Sequence, residues 1–221
     1  MTKKAVLFGT GSIAEVIYYY LTHDSAYEVE AFTSSRDYIE QPTLLNLPVV
    51  AFEDVEEIYP PDVYDMFIAV AYGNMNKTRT KFYHESKNKG YNLLTYVSSK
   101  ATIWPDLDIG DNCFIFEDNT IQPFVKIGNN VIVWSGNHIG HHSVIEDNCF
   151  ISSHVVVSGH CHIKEYSFLG VNATLRDGIT IERENIIGAA ALILHDTAAK
   201  GVYPGKGTKI LSGRDSSMVK I

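Results

Sequence analysis

The stretch VIVWSGNHIGHHSVIEDNCFISSHVVVSGHCHI, residues 131–163, has a branched aliphatic residue at every sixth position. These positions are Val133, Ile139, Ile145, Ile151, Val157 and Ile163. The same phase continues outward in both directions, from Val97 to Ile193, and only Val, Ile and Leu occupy it. Neither the 3.6-residue period of a helix nor the two-residue period of a strand sustains a spacing of six. A fixed period of this kind indicates a solenoid, in which each repeat packs mainly on its neighbours.

The hexapeptide period predicts a β-helix in which three six-residue faces form one triangular coil. Two residues before each aliphatic position the side chain is mostly small, as a narrow corner requires. All three cysteines, Cys113, Cys149 and Cys161, fall on this small position, so we expect packing thiols rather than disulfides or metal ligands. We predict a left-handed parallel β-helix over residues 95–200, with columns of side chains eighteen residues apart.

The sequence before the repeat predicts a different kind of structure. In residues 1–94, segments such as AVLFG and DMFIAVAY are strand-like, and they alternate with helix-like segments such as SIAEVIYYYLTHD. Alternation of strands and helices predicts a parallel sheet, and the length fits a half-sized Rossmann-like domain. Residues 201–221 form a C-terminal tail without the repeat.

Composition limits the partners and the compartment. The chain has 221 residues, a formal net charge of −8 and 45% hydrophobic residues. The negative charge disfavours nucleic acid as a partner. We expect no signal segment and no membrane span, and bacterial-type cytoplasm is the default compartment.

A glycine turn lies between the first strand and the first helix. Gly9, Gly11 and Ala14 in FGTGSIA have the G-x-G-x-x-A spacing, which lets a phosphate approach a helix N-terminus. We favour a nucleoside diphosphate linked to a sugar as the ligand. Two alternatives stay open: an NADP 2′-phosphate held by Arg36, and a structural turn with no ligand.

A second group of polar residues follows the fourth strand of the N-terminal domain. In Tyr72–Arg79, the side chains of Asn74, Asn76 and Arg79 are secondary candidates, because ligands of open α/β sheets gather at this edge. A solvated helix start is an equal alternative.

Histidines cluster between His138 and His162. The coil arithmetic places His141 one coil before Gly159, and His142 one coil before His160. A neutral imidazole above a bare glycine can act as a general base beside a backbone N–H that stabilises an oxyanion. Zinc hydration chemistry is a weaker alternative, and no metal is expected.

With these features, the chain resembles the sugar O-/N-acyltransferases of the hexapeptide-repeat class, typified by sialic acid O-acetyltransferases and bacterial nucleotide-aminosugar N-acetyltransferases. The likeness lies in the glycine turn, the repeat, the Ile139-Gly140-His141 segment and the Gly201–Gly205 segment GVYPG. It implies a homotrimer that uses acetyl-CoA, with His141 as the catalytic base. His142 stands where an acidic residue commonly tunes the base, and it is the second catalytic candidate.

The resemblance also implies two sets of contacts. Acetyl-CoA contacts would carry over to Phe150, Gly159, Val171 and Ala189. Contacts to the sugar nucleotide would carry over to Gly11, Ser12, Ile13, Ser34 and Ser35.

The expected function is therefore acetyl-CoA-dependent N-acetylation of a nucleotide-linked amino sugar by direct attack on the thioester, in polysaccharide biosynthesis. The alternatives are O-acetylation of a sugar hydroxyl, or a non-catalytic trimeric nucleotide-binding protein.

Overall fold

A computed structural model describes residues 3–207, and in it an N-terminal α/β domain precedes a long parallel β-helix. The N-terminal domain has the elements β1 (Lys3–Phe8), α1 (Ser12–Asp24), β2 (Tyr27–Ser34), a 3₁₀ turn (Arg36–Tyr38), β3 (Thr43–Leu44), β4 (Leu47–Ala51), α2 (Val55–Ile58), β5 (Tyr64–Ile68) and α3 (Lys77–Asn88). Its sheet has the order β3-β4-β2-β1-β5. All pairs are parallel except the β3–β4 hairpin. The predicted Rossmann-like order of elements is confirmed.

The β-helix has three faces, each a sheet of two-residue strands. We name the first the docked face; it contains β6 (Tyr96–Val97), β8 (Phe114–Ile115), β11 (Ile132–Val133), β14 (Phe150–Ile151), β17 (Phe168–Leu169), β20 (Ile186–Ile187) and β22 (Val202–Tyr203). The second is the open face; it contains β9 (Thr120–Ile121), β12 (His138–Ile139), β15 (Val156–Val157), β18 (Thr174–Leu175) and β21 (Leu192–Ile193). The third is the charged face; it contains β7 (Asp108–Ile109), β10 (Lys126–Ile127), β13 (Val144–Ile145), β16 (His162–Ile163) and β19 (Thr180–Ile181).

Strands eighteen residues apart pair in parallel, as the repeat predicts; Ile139, for example, is paired with Ile121 and Val157. The aliphatic ladder forms one buried core inside the coils. The ladder is exposed to solvent only at the first coil, at Ile103. At the other end, β22 continues the docked face past residue 200 into the segment predicted to be a tail. The part of that segment from residue 208 onward lies outside the described residues.

The corners between faces explain why Asn and His recur three positions after the aliphatic residue. His142, His160 and Asn130, for example, have φ values of 58°, 56° and 57°. The left-handed region is costly for most side chains and is tolerated best by Gly and by short polar residues such as Asn. The repeat therefore places histidines at the corners, where their rings point away from the buried ladder.

The N-terminal domain covers the docked face through an aromatic interface. The outward residues of that face include Tyr96, Phe114 and Phe150, which share one hydrophobic core with α1 and β5. The Tyr20 hydroxyl donates to Glu117 at 2.6 Å, and the Asp24 carboxylate accepts from the Tyr96 hydroxyl at 2.6 Å. The two domains therefore pack through a continuous core.

A buried arginine completes this interface. Arg79 of α3 is fully buried, and it donates to the carbonyl oxygens of Ala71, Asn130 and Cys149 and to the side-chain oxygens of Asn76 and Asn130. Burial lowers the pKa of the Arg79 guanidinium to about 10. Asn76 and Arg79 are both buried, so neither the ligand contact nor the solvated helix holds for them, and Arg79 joins the domains. Asn74 is exposed, and its contact with a ligand stays a prediction.

No helix within residues 3–207 is both long and apolar enough to cross a membrane.

Candidate active site

A polar site lies at the edge between the open and charged faces, which we call the histidine edge. Gly140 precedes His141 there, and a Cβ on Gly140 would lie 2.5 Å from the Gly159 nitrogen. Only glycine allows the two coils to approach this closely, so the backbone places the His141 side chain directly beside the next coil.

The His141 ring lies against Gly159, in the room that a side chain at position 159 would need, as the coil arithmetic predicts. A Cβ on Gly159 would lie 2.9 Å from both Nε2 and Cε1 of His141. Within the described residues, the Gly159 N–H has no hydrogen-bond acceptor. A general base and a free backbone donor therefore share one small space, which is the pairing that acyl transfer needs.

A carboxylate borders the same space, and the sequence analysis missed it. The point where a Gly159 Cβ would lie is 3.0 Å from Asp177 Oδ1. Asp177 is exposed, and it follows Gly159 by one more coil. The sequence alone could have predicted this contact, because His141, Gly159 and Asp177 are spaced eighteen residues apart and so occupy one column.

His142 faces the other ring nitrogen of His141. The two Nδ1 atoms are 3.1 Å apart, so one nitrogen donates and the other accepts when both rings are neutral. If Nε2 of His141 is the base, its Nδ1 carries the proton and donates to His142. The His142 ring is held between Phe124 and His160, with ring centroids 4.6 and 4.9 Å away, and the predicted stack on His160 is present.

The coenzyme candidates lie in two different places. Val171 and Ala189 are both exposed at the edge between the docked and open faces, one above the other, with the Ala190 N–H donating to Val171 at 2.8 Å. Phe150, in contrast, is buried in the domain interface, 5.0 Å from the Tyr72 ring and 5.7 Å from the Phe168 ring. The predicted coenzyme contact at Phe150 is wrong for this structure, because the N-terminal domain covers that side chain.

The glycine turn has the geometry of an anion site. Gly9 has φ +123°, and a Cβ there would lie 2.6 Å from the Ala69 oxygen, so only glycine fits. Gly11 faces open space, and it starts α1 with no side-chain cap. Among residues 3–207, the N–H groups of Ser12 and Ile13 have no acceptor, so they are free to bind an anion.

The second strand ends beside this turn. The Gly9 N–H donates to Thr33 at 2.8 Å, and the next two residues are Ser34, which is buried, and Ser35, which is half-buried. Arg36 makes two hydrogen bonds to the Asp54 carboxylate, at 2.7 and 2.8 Å. Both bonds come from one guanidinium nitrogen of a side chain that is 60% exposed, so this surface ion pair leaves the NADP alternative open.

The three cysteines are buried and unpaired. Burial raises the pKa of the Cys113 and Cys149 thiols to about 12, and it also raises the pKa of Cys161. Thiols in this state are poor nucleophiles, so the structure supports the prediction that the cysteines only pack.

Solved structures with the same architecture include the acetyltransferase domain of PglB from Neisseria gonorrhoeae, with 23% identity and a TM-score of 0.82 over 95% of this chain and 100% of that one. This chain has the fold of that domain. A histidine-to-asparagine mutant of perosamine N-acetyltransferase from Caulobacter crescentus, in complex with CoA and GDP-perosamine, gives 22% identity and a TM-score of 0.78 over 91% and 92% of the two chains. WeeI from Acinetobacter baumannii has 19% identity and a TM-score of 0.79, over 95% of this chain and 100% of that one.

The fold of the PglB acetyltransferase domain confirms the predicted fold class, an α/β domain followed by a left-handed parallel β-helix. A family model described as the GMPPB C-terminal domain matches residues 93–196, which are part of the β-helix. No curated protein sequence matches the chain.

Proposed function

We propose that this protein transfers the acetyl group of acetyl-CoA to the amino group of a sugar carried on a nucleotide. The observation that supports this most directly is the space above Gly159, which is bordered by the His141 imidazole and by an unpaired backbone N–H. The comparison adds support, because solved structures of the same fold contain acetyl-CoA in one case and CoA with GDP-perosamine in another.

The reaction in this space is a direct acyl transfer. Nε2 of His141 accepts a proton from the attacking amine, whose nitrogen forms a bond to the thioester carbonyl carbon. The carbonyl oxygen becomes an oxyanion and accepts the Gly159 N–H. The carbon–sulfur bond then breaks, and the CoA thiolate leaves and takes the proton from His141. The cysteines are buried and their thiols stay protonated, so none of them serves as a covalent nucleophile. The amine attacks the thioester directly.

Asp177 favours an amine acceptor over a hydroxyl acceptor. At neutral pH an amino sugar reaches the site as an ammonium ion, and a carboxylate beside the base can bind that ion. The ion releases one proton to water and attacks as the neutral amine, whose next proton goes to His141. A neutral hydroxyl gains much less from the same carboxylate. This is why we place N-acetylation ahead of O-acetylation.

The active site we propose is shared between copies of the chain. His141 lies on the histidine edge, whereas Val171 and Ala189 lie on the edge at the far side of the open face. One chain therefore does not bring the base and the coenzyme column together. The open face has exposed apolar side chains, Val156, Leu192 and Leu194 among them, which a second copy could cover. A homotrimer with three such interfaces unites the two edges.

The position of the glycine turn is consistent with this arrangement. Along α1, Asp24 contacts Ser99 of the first coil, and Tyr20 contacts Glu117 of the next, so the helix climbs the β-helix toward its own N-terminus. The length of α1 from Tyr20 back to Gly11 is about 13 Å, at 1.5 Å per residue. This length equals the height of between two and three coils of about 4.8 Å each. The turn then lies near the level of Val171, so a nucleotide bound there would lie at the height of the coenzyme column.

The test is the release of CoA thiol from acetyl-CoA in the presence of nucleotide-linked 3-amino and 4-amino sugars and of the matching hydroxy sugars. We expect release with one amino sugar and not with its hydroxyl counterpart. Release with hydroxy sugars alone would favour O-acetylation. Thermal stabilisation by nucleotides without any response to CoA, and no release with any acceptor, would instead favour a non-catalytic nucleotide-binding protein.

A further inference from the structure

Three imidazole rings meet at the histidine edge, around His141. His141, His142 and His160 are all exposed, and each has a ring nitrogen within 4.8 Å of those of the other two. Their ring centroids are 5.3, 5.0 and 4.9 Å apart, so the rings stand at the corners of a nearly equilateral triangle. We call this group the histidine triad.

The triangle has the size that a tetrahedral metal ion requires. Zn–N bonds of about 2.0–2.1 Å place each ring centroid about 3.2 Å from the ion, and tetrahedral angles then separate the centroids by about 5.2 Å. The same geometry puts ligand nitrogens about 3.3 Å apart. The two Nδ1 atoms of His141 and His142 are already 3.1 Å apart, so these two rings need little movement.

The third ring has to turn. His160 is stacked on His142 with an angle of 17° between the ring planes, whereas ligands of one ion point their nitrogens at a common centre. Within residues 3–207, the His160 ring has no hydrogen-bond partner, so a rotation of its side chain breaks no hydrogen bond. Its backbone stays in place, because its N–H donates to the His141 carbonyl at 2.9 Å.

We propose that the histidine triad binds a divalent transition-metal ion, Zn²⁺ in the first instance, and that the ion inhibits the enzyme. Three neutral imidazoles with a fourth position open to water are a known zinc ligand set. A neutral His141 bound to the ion through Nδ1 carries its one ring proton on Nε2. That nitrogen then has no lone pair with which to accept a proton from the substrate. Metal binding rests on the triad alone, while the inhibition rests also on the proposed function.

The experiment titrates ZnCl₂ into the full-length protein after EDTA treatment, by calorimetry, and repeats the titration with His160→Asn. Asparagine tolerates the left-handed backbone of that corner, and His160 has no part in the proposed chemistry. His154→Asn is the matched control, since His154 has the same corner conformation, with φ 58°, on another edge. We expect one ion per chain in the wild type, at least tenfold weaker binding in His160→Asn, and no change in His154→Asn.

The same titration is then followed by acetyl transfer. At ten times the Kd, about one-eleventh of the sites stay free, so activity should fall about tenfold and return with EDTA. Absence of Zn²⁺ binding to the wild type, or equal affinity in His160→Asn, would overturn the proposal. Binding without inhibition, in a preparation with measurable acetyl transfer, would refute the inhibitory role. Because calorimetry reads the metal alone, a failure of the acetyltransferase assay leaves the binding result intact.

Discussion

Substitution of Gly159 by alanine should separate the fold from the chemistry. The added methyl group would lie 2.9 Å from two atoms of the His141 ring and 3.0 Å from Asp177 Oδ1. Ordinary contacts between such atoms are about 3.5–4.0 Å, so the ring must retreat by about 0.6 Å or more. Both neighbours are ends of exposed side chains, so they can move without disturbing the buried ladder.

The size of the effect follows from that displacement. A shift of about 1 Å in a reacting group can cost about 10²-fold in rate, so we expect kcat to fall roughly 30- to 100-fold. The free energy of unfolding should rise by about 0.4–1 kcal/mol. Gly159 has no strained φ, and alanine has fewer conformations than glycine in the unfolded chain.

The assay pairs steady-state CoA-thiol release with thermal unfolding of the same preparation. Gly207→Ala is the control, since a Cβ on Gly207 would meet no atom within 4 Å. It should leave both readings unchanged. If Gly159→Ala retained wild-type turnover, the space above Gly159 would not be the site of reaction. If it lowered turnover only in proportion to a loss of folded protein, His141 and Asp177 would not have moved aside for the methyl group as expected.

Three other substitutions test amine recognition, the buried domain interface and its dependence on pH. Asp177→Asn should raise KM for the amino sugar about tenfold with less change in kcat, since a charge-assisted hydrogen bond is lost at an exposed position; an unchanged KM would remove Asp177 from amine recognition. Arg79→Met should lower the unfolding free energy by roughly 3–5 kcal/mol, because two or three buried carbonyl oxygens lose their donor at about 1–3 kcal/mol each. Denaturant titration measures this loss. The control is Arg36→Met, at an exposed position, and it should show little change. Hydrogen bonds from Ser99 and Tyr96 lower the pKa of Asp24 to about 2. Its stabilising contribution is therefore present above the unfolded-state value of about 3.9 and is lost as pH falls toward 2, so the melting temperature should drop more steeply over that range in the wild type than in Asp24→Asn.

The six-residue period was sufficient to predict the β-helix and the pairing of residues at its corners. Residues eighteen apart always lie one above the other in neighbouring coils. The positions of His141 beside Gly159 and of His142 on His160 therefore follow from counting alone. Asp177 follows from the same rule applied to a second coil. These features are local to the repeat, and each coil constrains the next through backbone pairing.

Contacts between the domains could not be predicted in the same way. The outward residues of the docked face, Tyr96, Phe114 and Phe150, are apolar in sequence and need cover, but the repeat does not say what covers them. Only the docking of the N-terminal domain decides that it is this domain that buries Phe150. Arg79 shows the same limit. Its helix, α3, is polar in sequence, and the burial of its guanidinium depends on carbonyl groups of two neighbouring coils.

The role of His141 as the base is decided by the kcat of His141→Ala with the best amino-sugar acceptor, measured at saturating acetyl-CoA. General base catalysis contributes about 10²–10⁴-fold, so we expect a loss in that range with the oligomeric state and the KM for acetyl-CoA unchanged. Turnover within a few-fold of the wild type would contradict the assignment of His141 as the base, and with it the site on which the proposed function depends.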